Sequence, residues 1–95
     1  MKVYLDDIRE APEGWIRTKT VDETIDLLKT GKVTHLSLDH DLGPVLEVGS
    51  DVLTWIEFHV AKGVFTAPDY MYVHSANPPA KERMQRAIKR IRKGF

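Results

Sequence analysis

The chain has 95 residues, 42% of them hydrophobic and 29% charged, and its 14 basic and 14 acidic side chains cancel. This length supports one small domain, residues 1–95, and the mixed composition excludes a disordered chain and a transmembrane helix. Cysteine is absent, which excludes disulfides and a thiolate nucleophile, so a metal would be held by oxygen and imidazole ligands. We expect a cytoplasmic domain without membrane contact.

Strands and helices alternate along most of the chain. Strands are predicted at residues 2–5, 15–18, 34–38 and 70–73, where β-branched, aromatic and leucine residues cluster. Helices are predicted to begin at a Thr20–Glu23 capping box, at Ser50 or Asp51, and at Asn77 before Pro78. The order β-β-α-β-α-β-α predicts a small, three-layer, mostly parallel α/β sheet.

Polar residues follow three of the predicted strands directly. Asp6 and Asp7 follow the first strand, Asp39-His40-Asp41 the third, and His74 the fourth. Parallel strands end at one edge of a sheet, the carboxyl edge, where open α/β proteins bind ligands. We therefore predict that the functional site lies at this edge.

The acidic residues of this edge predict a cation or a shared proton. Two carboxylates about 4 Å apart repel by roughly 4 kcal/mol at an effective dielectric near 20, so a cluster of them does not stay fully ionised alone. Asp6, Asp7 and Asp39 are the predicted ligands, and Mg²⁺ or Mn²⁺ suits them. Alternatively, Asp6 and Asp7 point to opposite sides and one of them only caps a turn.

Two histidines at the edge suit acid–base chemistry. Hydrolysis of a phosphodiester needs one group that takes a proton from water and one that protonates the leaving oxygen. His40 and His74 could divide these roles, because histidine titrates in the required range. A structural role is the alternative for both, and it is the interpretation of His35, inside a strand, and of His59, on a helix.

The turn from the fourth strand into the last helix could bind phosphate. The free amides of the first helical turn favour an anion, and Ser75, Asn77 and Lys81 offer further donors. Arg9 is a candidate for a two-pronged phosphate contact. Asn77 could also be only a helix cap, and Arg9 only an exposed loop cation.

The last predicted helix is strongly basic. Between Lys81 and Lys93 there are seven cations and one anion, Glu82. Such a helix could attract a polyanion weakly, and the alternative is a solvated helix face.

Three motifs together resemble a known family. Leu5-Asp6-Asp7-Ile8-Arg9, the stretch from Ser37 to Gly43, and the stretch from His74 to Pro78 resemble the cyclic-phosphate-processing receiver-like domain of bacteria and phages. The resemblance implies a truncated, flavodoxin-like receiver fold and action on a cyclic phosphate of a nucleotide or an RNA end. It places Asp6 and Asp7 on the receiver's acidic pair, Asp39 on its phosphoacceptor position and Ser75 near its hydroxyl position.

The sequence departs from a signalling receiver in two respects. No fifth strand with a phosphoryl-contacting lysine fits after Asn77, with Lys81 as the candidate replacement for that lysine, and receivers do not require His40 or His74. These departures favour a phosphoesterase, in which Asp39, His40 and His74 are catalytic. The alternatives are a module that binds a phosphorylated nucleotide without turnover, and a phosphoacceptor or protein-interaction domain.

Overall fold

The structure, a computed structural model, describes residues 1–39, 49–74 and 78–94. The strands are β1 (Lys2–Leu5), β2 (Ile16–Thr18), β3 (His35–Leu38) and β4 (Tyr70–Val73), and the helices are α1 (Val21–Leu28), α2 (Gly49–Ala61) and α3 (Pro78–Lys93). This is the element order that the sequence predicts. Strands β2 and β3 each begin one residue later than predicted.

All four strands are parallel and form one sheet with the order β2-β1-β3-β4. The central strands pair in register, so that Leu5 lies beside Leu38, and Leu38 beside Val73. The topology agrees with the predicted receiver-like, flavodoxin-type fold. Among the described residues the sheet has no fifth strand, as expected from the sequence.

The three helices cover the same face of the sheet. The β2-α1-β3 and β3-α2-β4 connections cross the sheet in one direction, so right-handed crossovers place α1 and α2 on one side. Helix α2 packs against both α1 and α3. Buried side chains from the sheet and all three helices form a single core, which includes Val3, Leu36, Leu53, Ile56 and Met84.

The prediction of three layers is wrong for the described residues, which form two. The reason is the connection from β1 to β2, which crosses the sheet in the opposite direction and would carry a helix to the other face. Residues 6–15 form no helix there. We call the uncovered side the open face and define it by the strand residues that point away from the helices: Lys2, Tyr4, Arg17, His35, Ser37, Tyr70 and Tyr72.

The helix starts follow from local chemistry. The Thr20 hydroxyl accepts a hydrogen bond from the Glu23 amide, and the Glu23 carboxylate accepts from the Lys19 amide, so the predicted box caps α1. Helix α2 begins at Gly49, so the prediction that Ser50 or Asp51 caps it is wrong. Asn77, the predicted cap of α3, lies outside the described residues.

Gly49 lies against the backbone at the end of β3. A Cβ atom at this position would overlap the carbonyl oxygen of Asp39 and approach the side chain of Met84. Only glycine therefore allows the start of α2 to pass so close to Asp39.

Candidate functional site

Three strands deliver one polar residue each to the same level of the carboxyl edge. Leu5, Leu38 and Val73 lie side by side, and the residues after them are Asp6, Asp39 and His74. The backbone ladder continues by one step, because the Asp39 amide donates to the Leu5 carbonyl and the His74 amide to the Leu38 carbonyl, both at 3.0 Å. The register thus brings together groups that are far apart in the chain.

Asp6 is anchored by the turn that follows it. Its Oδ1 accepts hydrogen bonds from the amides of Ile8 at 2.9 Å and Arg9 at 2.8 Å, and its side chain is 1% exposed. Burial acts to raise the pKa of Asp6, but the two amides and the His74 ring outweigh it, so the pKa lies below its ordinary value. Asp6 is therefore a fixed carboxylate at neutral pH.

The His74 ring is held on both nitrogens and on one face. Nδ1 shares a hydrogen bond of 2.7 Å with the Ser37 hydroxyl, and Nε2 lies 3.2 Å from Asp6 Oδ2. The Tyr4 ring stacks on the imidazole with centroids 4.1 Å apart and an angle of 6° between the ring planes. These contacts fix the position of the ring.

Burial lowers the pKa of His74 below its ordinary value. Asp39 and Asp6 act in the opposite direction, and Arg9 adds to the lowering. The imidazole is consequently neutral at pH 7 and able to accept a proton or to ligate a metal.

Asp6, Asp39 and His74 form a candidate metal-binding group. One carboxylate oxygen from each aspartate and one ring nitrogen of His74 all lie within 4.8 Å of one another. The sequence predicts Asp7 as the third ligand, but the group contains His74 instead. Of the two ions expected from the sequence, this mixed oxygen and nitrogen set fits Mn²⁺ better, because Mg²⁺ prefers oxygen ligands.

Asp7 stands apart from that group. Its Oδ1 is buried and has no hydrogen-bond partner among the described residues. Adjacent residues of an extended chain point to opposite sides, which explains why Asp7 does not follow Asp6 into the cluster. A buried oxygen of this kind costs free energy, so we expect a cation or a group outside the described residues to satisfy it.

Arg9 lies beside the site, whereas Lys81 lies elsewhere. The Arg9 Nη1 donates to the His74 carbonyl at 3.0 Å, and the described residues take no other of its five guanidinium donors. Lys81 lines a groove of about 440 Å³ between β4 and α3, together with Tyr72 and Gln85. His40, Ser75 and Asn77 lie outside the described residues, so their predicted roles stay predictions.

Several cations of the basic helix α3 have partners. Arg90 binds Glu57 through two hydrogen bonds, and Arg86 binds Glu82 at 2.7 Å. The bonds to Glu57 raise the pKa of Arg90 above its ordinary value. The Arg92 guanidinium donates to the Asp69 carbonyl. Some of the cations expected to attract a polyanion therefore already form hydrogen bonds and ion pairs within the fold.

Tyr4 and Ser37, which hold His74, have no role predicted from the sequence. Both precede a site acid by two positions, and side chains two apart in a strand share a face. A polar Ser37 inside the apolar strand β3 was the available signal. Arg17 was also missed; its Nε donates to the Asp6 carbonyl at 3.0 Å.

A comparison with protein families agrees with this geometry. The model of the cyclic-phosphate processing receiver domain matches residues 1–90. The chain belongs to this family. The match includes all three strand ends of the site and most of α3, and it confirms the resemblance seen in the motifs.

Comparisons with curated proteins and with solved structures identify no similar protein. Neither a curated protein nor a solved structure matches the chain significantly. None of the helices in residues 1–39, 49–74 and 78–94 is long and apolar enough to cross a membrane.

Proposed function

We propose that this receiver-like domain hydrolyses a cyclic phosphate carried by a nucleotide or by the end of an RNA. One observation carries the proposal: the His74 ring, fixed by Ser37 and Asp6, faces the same small space as Asp39 at the carboxyl edge. A neutral, oriented imidazole beside carboxylates is an arrangement suited to acid–base chemistry on a phosphoester.

His74 is the base in this proposal. Its lowered pKa keeps one ring nitrogen unprotonated, and this nitrogen would exchange its hydrogen bond within the site for one from water and take that proton, while the water oxygen bonds to phosphorus. The bond from phosphorus to one ring ester oxygen breaks, and a proton reaches that oxygen to give a hydroxyl and a phosphomonoester. His40, which follows Asp39 in the sequence, is the proposed proton donor to the leaving oxygen.

The negative charge of Asp6 and Asp39 needs compensation before a phosphate can approach. Asp6 and Asp39 would hold Mn²⁺ or Mg²⁺, which would neutralise charge and polarise the phosphoryl oxygens while His74 keeps its role as the base. Arg9 supplies a cation at the rim, where its free donors would contact the phosphate. We propose phosphate contact also for the amides near Ser75 and Asn77 and for Lys81, which would have to reach the phosphate from the β4–α3 groove.

Turnover of 2′,3′-cyclic nucleotides tests the proposal directly. Phosphorus NMR of the wild-type protein, with and without Mn²⁺, should show a monoester product. His74→Gln should lower the rate at least about a hundredfold, the range of a lost acid–base group. His59→Gln is the matched control, since His59 is another partly buried histidine, packed on Trp55 in α2. Equal rates in wild type and His74→Gln would remove the mechanism.

Two non-catalytic functions remain as alternatives. The domain could bind a phosphorylated nucleotide without turnover, in which case calorimetry would show binding and no product. It could also accept a phosphoryl group on Asp39, because the motif resemblance places this residue on a receiver's phosphoacceptor position. Labelling of Asp39 by acetyl phosphate would support that alternative. A cytoplasmic location stays a prediction.

A further inference from the structure

The open face of the sheet is lined by aromatic rings that none of the helices α1, α2 and α3 in the described part of the chain covers. Tyr70 and Tyr72 are 52% and 47% exposed, and their rings are parallel with centroids 6.5 Å apart. Adjacent exposed rings form an apolar patch whose burial against a partner would be favourable.

These rings form a continuous path to the candidate site. Tyr70 stacks on His35 at 4.5 Å, and the Trp15 ring forms T-shaped pairs with Tyr4 and with His35, with centroids 6.2 Å and 6.1 Å apart. Tyr4 stacks in turn on His74. Along β4, Tyr72 and Tyr70 lie about 7 Å and 13 Å from His74, because a strand rises about 3.3 Å per residue. A ligand with its reactive end at His74 would therefore extend over the rings.

The charge of the open face favours an anion. Its strand residues include two cations, Lys2 and Arg17, and no carboxylate; the acids Asp6 and Asp39 begin only where the strands end. Lys2 Nζ lies 5.9 Å from the centre of the Trp15 ring, so positive charge and aromatic surface are adjacent. Stacking rings interleaved with cations are the features by which sheet surfaces bind single-stranded nucleic acid.

We propose that the open face binds single-stranded RNA, with bases stacked on Tyr70 and Tyr72, phosphates near Lys2 and Arg17, and the 3′ end at His74. The choice of RNA rests on the proposed function, since a 2′,3′-cyclic phosphate requires a 2′-hydroxyl. The ring contacts themselves do not depend on turnover. The substrate of this domain is then an RNA end, and a free cyclic nucleotide is a minimal fragment of it.

Binding of a fluorescent six-nucleotide RNA, measured by anisotropy, tests the surface. The RNA is used with a 2′,3′-cyclic phosphate end and with a 3′-hydroxyl end. Tyr70→Thr and Tyr72→Thr should each weaken binding of both RNAs about tenfold, the typical loss of one base stack, while threonine preserves strand propensity. Unlabelled 2′,3′-cyclic mononucleotide should compete at least about tenfold less well than the unlabelled RNA.

The matched control is Phe58→Ala, which removes a ring that is 57% exposed on α2, away from the open face. It should leave RNA binding unchanged. Equal losses in the tyrosine and Phe58 variants, or no loss in any, would overturn the proposal, and a face that binds a protein would give the latter result. Binding that depends on the tyrosines without any hydrolysis would preserve this surface and reject the phosphoesterase. Hydrolysis of cyclic mononucleotide, together with RNA binding that does not depend on the tyrosines, would support the phosphoesterase and reject this RNA-binding surface.

Discussion

His74 Nε2 lies 3.2 Å from Asp6 Oδ2, although the two residues are 68 positions apart in the chain. The contact joins the ends of strands β1 and β4, which do not pair with each other because β3 lies between them. It therefore depends on the register of the entire central sheet. The site is consequently sensitive to changes that tilt or shift any one of these three strands.

Asp6→Asn should lower the pKa of His74 further. The Asp6 carboxylate now acts to raise that pKa through its charge and its hydrogen bond, and the amide of asparagine would remove the charge. The asparagine side-chain oxygen can still accept from the Ile8 and Arg9 amides, so the turn should persist. NMR titration of the His74 ring measures the effect. Asp26→Asn, at an exposed acid of α1, is the control, and an unchanged or higher pKa of His74 in Asp6→Asn would contradict the electrostatic account.

Ser37→Ala should remove the hydrogen bond that holds Nδ1 of the His74 ring. The Ser37 hydroxyl is 2.7 Å from Nδ1, and its loss should cost about 1 kcal/mol of unfolding free energy and allow the ring to change its proton position. The nitrogen chemical shifts of His74 report that change, and under the proposed function turnover should fall about tenfold or more. Ser50→Ala controls for the loss of a hydroxyl on α2. A His74 spectrum identical to that of wild type would show that Ser37 does not position the ring.

Unfolding free energy should decrease as the pH falls below neutrality. The pKa of His74 in the folded state is below the value of about 6.5 expected for the unfolded chain. Below pH 6.5 the unfolded state therefore binds a proton that the folded state does not, and stability falls. Urea titrations at pH 7.5 and pH 5 measure the difference, which should shrink in His74→Gln.

A second decrease should follow at lower pH because of Asp6. Its pKa is lowered in the folded state, so its contribution is complete above pH 4 and is lost as the pH falls through the folded pKa. Asp6→Asn should flatten this acidic part of the profile. A wild-type stability that rises between pH 7.5 and pH 5 would contradict the His74 assignment.

Gly49→Ala should destabilise the fold although alanine favours helices. The added methyl group would overlap the Asp39 carbonyl, and the movement of α2 or of the end of β3 should cost about 1 to 3 kcal/mol. Urea unfolding measures the cost. Ser50→Ala, one residue further into α2, introduces the same side chain without that overlap and should be close to neutral. Similar stability of both variants would mean that α2 does not pass so near Asp39.

Much of the fold could be predicted because local patterns decide it. Strands β1 and β4 have the predicted bounds, and the Thr20–Glu23 box caps α1 as expected. The start of α2 was predicted too late, with Ser50 or Asp51 as its cap, because glycine is a poor helix former and its close approach to Asp39 is not visible in the sequence. Contacts between distant segments do not affect local propensity, so they cannot be predicted from a short stretch of sequence.

The site was predicted in outline and changed in detail. Polar residues after apolar strands placed Asp6, Asp39 and His74 at one edge, because parallel strands share their direction. The exclusion of Asp7 from the acid cluster and the support of His74 by Tyr4 depend on the faces to which side chains point. Those faces were readable from the two-residue period of the strands only after the register was known.

The sequence by itself determined the elements, their order, the family and the edge at which the polar residues collect, since these follow from periodicity and from motifs within short stretches. Only the tertiary structure decided that His74 pairs with Asp6 and that one face of the sheet stays open with its rings exposed. Both depend on strand order and on the direction of each crossover, which are properties of the assembled sheet.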